Sequence, residues 1–283
     1  MPILPEDEQV RGGVYLCQTG ACVSCGSCCG LYNVPDLSRD RLHAILTERT
    51  GSFAGTPRTI DAILAFEQER LRVEGADVPI PDFHHCVFVG LIQDGGERIG
   101  CLLHPLALGN GGVDWRGLSF YGGAACKYFF CPTHDTLESR WKRIAREVLD
   151  DWYEYGLIIP EHRFLAALLG AVEARSGRAL DIDDLSDEAK ASLADLLRLK
   201  LSWPFRGKET PLARNFFSTK ETERPHLLGA PPLQDPYPHL ILHELDTLPE
   251  HAAPAMIMLE ELLGRVEAGL AENERTGGKP VLR

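Results

Sequence analysis

No stretch of the 283-residue chain approaches the ~18 to 20 consecutive apolar residues of a membrane-spanning helix, so no membrane partner is expected. Basic residues are in deficit. The 29 Lys and Arg stand against 41 Asp and Glu, giving a formal charge of -12. Nucleic acid is therefore not an expected partner either, because a phosphate backbone is held by clustered cations. The opening MPILPEDEQVRGG has acidic residues and prolines where a secretory signal would carry a basic start and an apolar core, which points to a cytoplasmic location. A phosphate-cradling glycine loop, a serine nucleophile elbow, a dinucleotide fingerprint and an internal repeat are all missing. The GNGG and YGG runs lack the strand, spacing and following helix that such motifs require.

Cysteine is absent after residue 131, and this absence sharpens the pattern before it. All nine cysteines lie in the first part of the chain, four of them (Cys22, Cys25, Cys28 and Cys29) within one C-x2-C-x2-C-C stretch. Cys86, Cys101, Cys126 and Cys131 follow, and Cys17 stands alone ahead of the run. In a reducing compartment, closely spaced cysteines are metal ligands or redox thiols more often than disulfides. Structural zinc usually draws two ligands from each of two separated C-x2-C turns. Three cysteines at three-residue steps in one loop suit an iron–sulfur cubane better, because each thiolate then caps a different iron. Adjacent side chains diverge along the backbone, so Cys28 and Cys29 are expected to serve two centres. The competing reading of any single cysteine is a buried apolar thiol.

The hydrophobic spacing predicts helices over 38–50, with Gly51 as a stop, and over 59–73. CVFVGLI and RIGCLLH read as a β-hairpin; with Gly95 and Gly96 in the turn, Asp94 would face Glu97 and Cys101 would face Gly90. That register puts Cys86 about 14 Å along the ladder from Cys101, too far for one mononuclear ion. Residues 105–125 read as a glycine-rich loop that delivers Cys126 and Cys131. A long helix is expected over 135–155 with Gly156 as its stop, then helices over 161–176, 187–201 and 254–271. Residues 203–254 hold nine of the 19 prolines and read as a wrapped loop anchored by WPF, NFF and YPHLIL, and the tail GGKPVLR as fraying.

The order C-x2-C-G-x-C-C, a helical spacer, an isolated Cys, a Cys fifteen residues on with His-Pro soon after, then C-x4-C-P resembles the CxxCxxCC, or YkgJ-like, cysteine-cluster family of zinc- or iron-chelating domains. The resemblance covers about residues 17–133. It implies Cys22, Cys25, Cys28, Cys29, Cys86, Cys101, Cys126 and Cys131 as metal ligands and leaves Cys17 outside the set. The family's usual Arg-Pro before the next cysteine is replaced here by the longer loop after His104-Pro105. Flagellin lysine methylases carry a similar cluster, so the resemblance allows a protein-modifying enzyme, although residues 134–283 show no methyl-donor motif.

His84, His85, His104 and His134 neighbour cysteines and are expected to hydrogen-bond thiolates rather than bind metal. His239 and His243 have metal-pair spacing, but the prolines around them favour a loop or strand. Arg140, Lys142, Arg143 and Arg146 read as a solvated helix face. The expected architecture is α+β: an irregular cysteine-cluster domain with a β-hairpin over 14–156, plus a mostly helical C-terminal region over 157–283 packed on it. The expected cofactor is an iron–sulfur cluster or zinc, in a redox or protein-modifying protein with an unknown protein partner or substrate. The alternative is a non-catalytic protein held together by structural zinc in two sites of four cysteines each.

Overall fold

The computed structural model describes residues 4–75, 78–81, 83–93, 96–213 and 234–276. The chain is α+β: one antiparallel hairpin, two helices packed around it, and a larger helical C-terminal part. Among the described residues no single helix is long and apolar enough to cross a membrane.

Helix α1 (Arg39–Ala54) starts where the Ser38 side chain accepts the Arg41 N–H, and α2 (Ile60–Glu74) where Thr59 accepts that of Ala62. Gly51 does not stop α1. The helix continues so that Phe53 can pack edge-on against Phe66 and Phe88, at ring separations of 5.0 and 6.1 Å. Strands β1 (Val89–Gln93) and β2 (Glu97–Cys101) pair with Gln93 opposite Glu97 and Cys101 opposite Val89. Three residues therefore separate the strands instead of two, and the register is one residue away from the expected one; Asp94 and Gly95 lie outside the described residues.

The single helix expected over 135–155 is three: α4 (Pro132–Thr136), α5 (Ser139–Val148) and α6 (Trp152–Ile158), after the short α3 (Gly122–Tyr128). Leu137 and Leu149 are extended, and the Asp151 carboxylate caps α6 by accepting from Tyr153 and Glu154. Then come α7 (His162–Ser176), ended by Gly177 at φ +67°, and α8 (Asp187–Ser202), capped by Ser186. Helix α9 (Tyr237–Glu244) replaces the loop or strand expected around His239 and His243, because Pro238 falls in the first turn, where a missing N–H costs nothing. Helix α10 is Ala252–Thr276. NFF, the middle of the proline-rich stretch and the tail lie outside the described residues.

Two apolar cores result. One gathers Leu42, Leu46 and Phe53 of α1, Ile63 and Phe66 of α2 and Ile99 of the hairpin, with Leu31 and Phe88 from the flanking segments. The other gathers Val14 and Leu16 with Ile144, Phe164, Leu168, Leu197 and Leu263 from the C-terminal helices. Helix α6 serves both: Trp152 and Leu157 enter the hairpin core, Tyr155 and Ile158 the helical one. The expected boundary at residue 156 thus falls inside α6.

Candidate metal centres

The first cysteines are placed by a small hairpin. Gln18 and Ser24 form an antiparallel bridge, and the Cys25 N–H donates to the Cys17 carbonyl at 2.9 Å. Cys17 and Cys25 are therefore directly opposite, with side chains on one face. Cys22 falls at the turn between them and is exposed. Ser27–Cys29 then make one 3-10 turn closed by Gly30 at φ +73°. Successive side chains in such a turn point ~120° apart, so Cys28 and Cys29 diverge.

They diverge toward different neighbours. Burial pushes the Cys17 thiol up to about 12, and Cys131 adds to it. Cys25 is raised by burial and then by Cys131 and Cys17, and Cys28 by burial and then by Cys17, Cys25 and Cys131. Cys29 instead is raised by burial and then by Cys86, Cys101 and Cys126. Burial and Cys101 take Cys86 to about 12, while burial and Cys126 help take Cys101 to about 11. By their largest couplings eight thiols sort into two groups of four, linked by weaker couplings of Cys29 with Cys28 and Cys25. The inner group is Cys17, Cys25, Cys28 and Cys131; the outer group is Cys29, Cys86, Cys101 and Cys126.

Seven of the eight cysteines singled out by the family resemblance fall in these groups. Cys22 does not, and Cys17 does. A Cβ added at Gly96 would meet the Cys22 sulfur at 2.8 Å, so Cys22 stands at the tip of the β1–β2 hairpin. The sequence signal for Cys17 is the eight-residue step to Cys25 with Gly20 between, which suits a short hairpin with both cysteines at its base.

The outer group is closed by contacts between residues 29–30 and 84–86. The Cys86 N–H donates to the Cys29 carbonyl at 2.8 Å, and His85 Nδ1 donates to the Gly30 carbonyl at 2.9 Å. A side chain at Gly30 would put its Cβ 2.0 Å from the His84 carbonyl oxygen. Cys86 precedes β1 in a turn, not on the ladder, so the 14 Å strand separation from Cys101 does not apply. Arg49 of α1, fully buried, donates to the Cys86 and Val89 carbonyls at 3.2 and 3.3 Å and to Glu74 at 2.9 Å. Its charge opposes the rise in the Cys86 pKa, and Arg116 does the same for Cys101. Cys126, on α3, is the exposed member, with Ser119 Oγ 3.3 Å from its sulfur.

The inner group is closed by the N-terminal segment crossing α4, α5 and α6. Arg146 forms a buried pair with Asp7 at 2.7 Å, Lys142 Nζ donates to the Gly12 and His134 carbonyls at 3.2 and 2.9 Å, and the Tyr155 hydroxyl donates to the Leu16 carbonyl at 2.9 Å. Lys142 and Arg146 are therefore buried anchors, unlike the solvated face expected of them. Cys131 flanks the start of α4, and burial raises its thiol while the Thr133 and His134 backbone opposes that rise.

A common backbone detail recurs across both groups. The Cys25 sulfur accepts the N–H of Ser27, two positions on, at 3.4 Å, and nearby backbone opposes the burial-driven rise of the Cys86, Cys101 and Cys131 thiols. Donors aimed at sulfur stabilise thiolate over thiol. An apolar packing thiol has no use for them.

Of the four histidines considered, His134 has its ring on a thiol: Nδ1 is 3.5 Å from the Cys131 sulfur. Burial, followed by the Lys142 charge, lowers its pKa to about 4. His84 stacks on Phe120 at 4.1 Å, His85 lies 3.4 Å from Glu74, and His104 Nδ1 accepts the Leu106 N–H. His239 and His243 lie on α9, and His243 is 3.5 Å from Glu244. Among the described residues, the one trio of ligand-type side chains with atoms mutually within 4.8 Å is Asp150, Asp151 and Glu154. These carboxylates already pair with Arg39 and Arg198. No three of the described thiols approach one another that closely.

No protein family, curated protein or solved structure matches the chain.

Proposed function

We propose that this chain is a redox protein that holds two iron–sulfur clusters, one in each group of four thiols. The observation that carries this reading is the combination of coupling and spacing. Each group has four mutually influencing thiols, yet no three of the described sulfurs lie within 4.8 Å of one another. A tetrahedral zinc thiolate, with Zn–S near 2.3 Å, holds its sulfurs about 3.8 Å apart. A cluster spreads them wider, because each binds a separate iron. The donor chemistry also fits: thiols kept neutral by burial, as Cys17 and Cys86 are, gain most from a cation that ionises them.

Cys17, Cys25, Cys28 and Cys131 would hold the inner cluster, and Cys29, Cys86, Cys101 and Cys126 the outer one. The clusters would supply one-electron chemistry. The protein's own part is to pack Tyr15, Phe130 and Tyr155 beside the inner group, to set the Ser27 N–H on the Cys25 sulfur, and to leave the outer group open at Cys126. A protein-modifying role of the kind the family resemblance suggests would draw on the same electrons. Protein purified without oxygen should be brown, with about eight iron and as much acid-labile sulfide per chain. A colourless protein with about two zinc per chain would overturn the proposal in favour of structural metal.

A further inference from the structure

His134 makes two contacts that together fix its chemistry. Nε2 accepts the Leu16 N–H at 3.2 Å, so the proton of the neutral ring is on Nδ1. Nδ1 faces the Cys131 sulfur at 3.5 Å. The ring is 1% exposed and held by Phe130 and Tyr15, at centroid separations of 5.0 and 6.5 Å. The outer group has no histidine counterpart among the described residues: His84, His85 and His104 spend their nitrogens elsewhere or stack, and the side chain on its sulfurs is the Ser119 hydroxyl, 3.3 Å from Cys126.

Resting on the two-cluster reading above, we infer that His134 is a positioning residue that raises the reduction potential of the inner cluster through its Nδ1–H···Sγ bond to Cys131, without binding iron. Reduction adds negative charge that the ligand sulfurs share, and a fixed donor on one of them favours the reduced state. Leu16 supplies the tautomer. It lies one residue before Cys17, another inner-group thiol, so a single segment positions both a ligand and the donor that tunes its neighbour.

The test is a redox titration followed by electron paramagnetic resonance on the full chain, in the parent protein, His134→Leu and His134→Asn. Asn can keep an N–H donor near the Nδ1 position and Leu cannot. Iron and sulfide should stay at the parent level in both. One of the two potentials should fall in His134→Leu and return toward the parent value in His134→Asn, with the second potential unmoved in either. Loaded clusters with both potentials unchanged in His134→Leu would overturn the inference and leave the two-cluster reading standing. Zinc or no metal in the parent would overturn both. If His134→Leu does not fold, the parent labelled with 15N-histidine decides: one reduced centre should show a weak nitrogen coupling. A strong coupling would make His134 a ligand, and no coupling would remove the bond; either refutes the inference.

Discussion

Cys17 and Cys25 stand directly opposite each other across a two-stranded bridge, with Cys22 on the turn that joins them. The family resemblance counts Cys22 as a ligand and leaves Cys17 out, whereas the two-cluster proposal counts Cys17 and leaves Cys22 out. Cys17→Ser should lose about half of the bound metal, the share of one of two equal centres. Cys22→Ser should keep all of it. Metal analysis of the two variants, purified side by side, checks this, and equal retention in both would mean that the bridge does not define the ligands.

Gly156 is a second close approach. In the sequence it reads as the end of a long helix, but it lies inside α6, where a Cβ would sit 1.7 Å from the Tyr32 hydroxyl oxygen. Tyr32 is 2% exposed and cannot swing into water. The Gly156 carbonyl also accepts from the Cys25 thiol at 3.8 Å. Gly156→Ala should cost about 2 kcal/mol through overpacking and lower the melting temperature by about 5 °C. Thermal unfolding followed by circular dichroism would show it.

How much of this is legible in the sequence depends on whether the deciding interaction is local. Ser38, Thr59 and Ser186 cap their helices by bonding three residues on, and the sequence places those helix starts correctly. Tertiary contacts decide the rest: Phe53 carries α1 past Gly51, and Asp151 turns what reads as one amphipathic helix into two. Proline read as a breaker hides α9, although the same residue is harmless in a first turn. The divergence of Cys28 and Cys29 follows from adjacency and can be expected. The grouping of Cys17 with Cys25 needs the register of a short hairpin, which cysteine spacing alone does not supply.

Glu74 predicts an acid-dependent contribution to the outer group's frame. Burial alone would raise its pKa, but hydrogen bonds from Arg49 and His85 outweigh this and hold it at about 2, below the ordinary 4.5. A carboxyl depressed in this way stabilises the fold fully above ~4.5 and progressively less as pH falls toward 2. Glu74→Gln should therefore be destabilised by about 2 kcal/mol at neutral pH, with the gap to the parent narrowing in acid. Denaturant unfolding at pH 7 and pH 3 would measure both gaps. A gap that widens in acid would contradict the assignment.

The helical C-terminal part should not fold without the cysteine-bearing part. Leu165, Leu168, Leu197 and Leu263 share their core with Val14, Leu16, Leu137, Ile144 and Tyr155, which all precede residue 157. Removing that cover would expose the part of these apolar stripes that the C-terminal helices do not cover for one another. The inner thiols lie within the same cover: Cys17 follows Leu16, Cys131 flanks the start of α4, and Cys25 packs against the core directly. Losing metal from the inner group would leave that wall without its cross-link between the segments, so the helices should melt together with it. Circular dichroism of the full chain is expected to give one transition, shifted down after chelation, and a fragment from Leu157 onward should show no cooperative unfolding. A fragment that melted cooperatively at the midpoint of the intact protein would mean that the two parts are energetically independent.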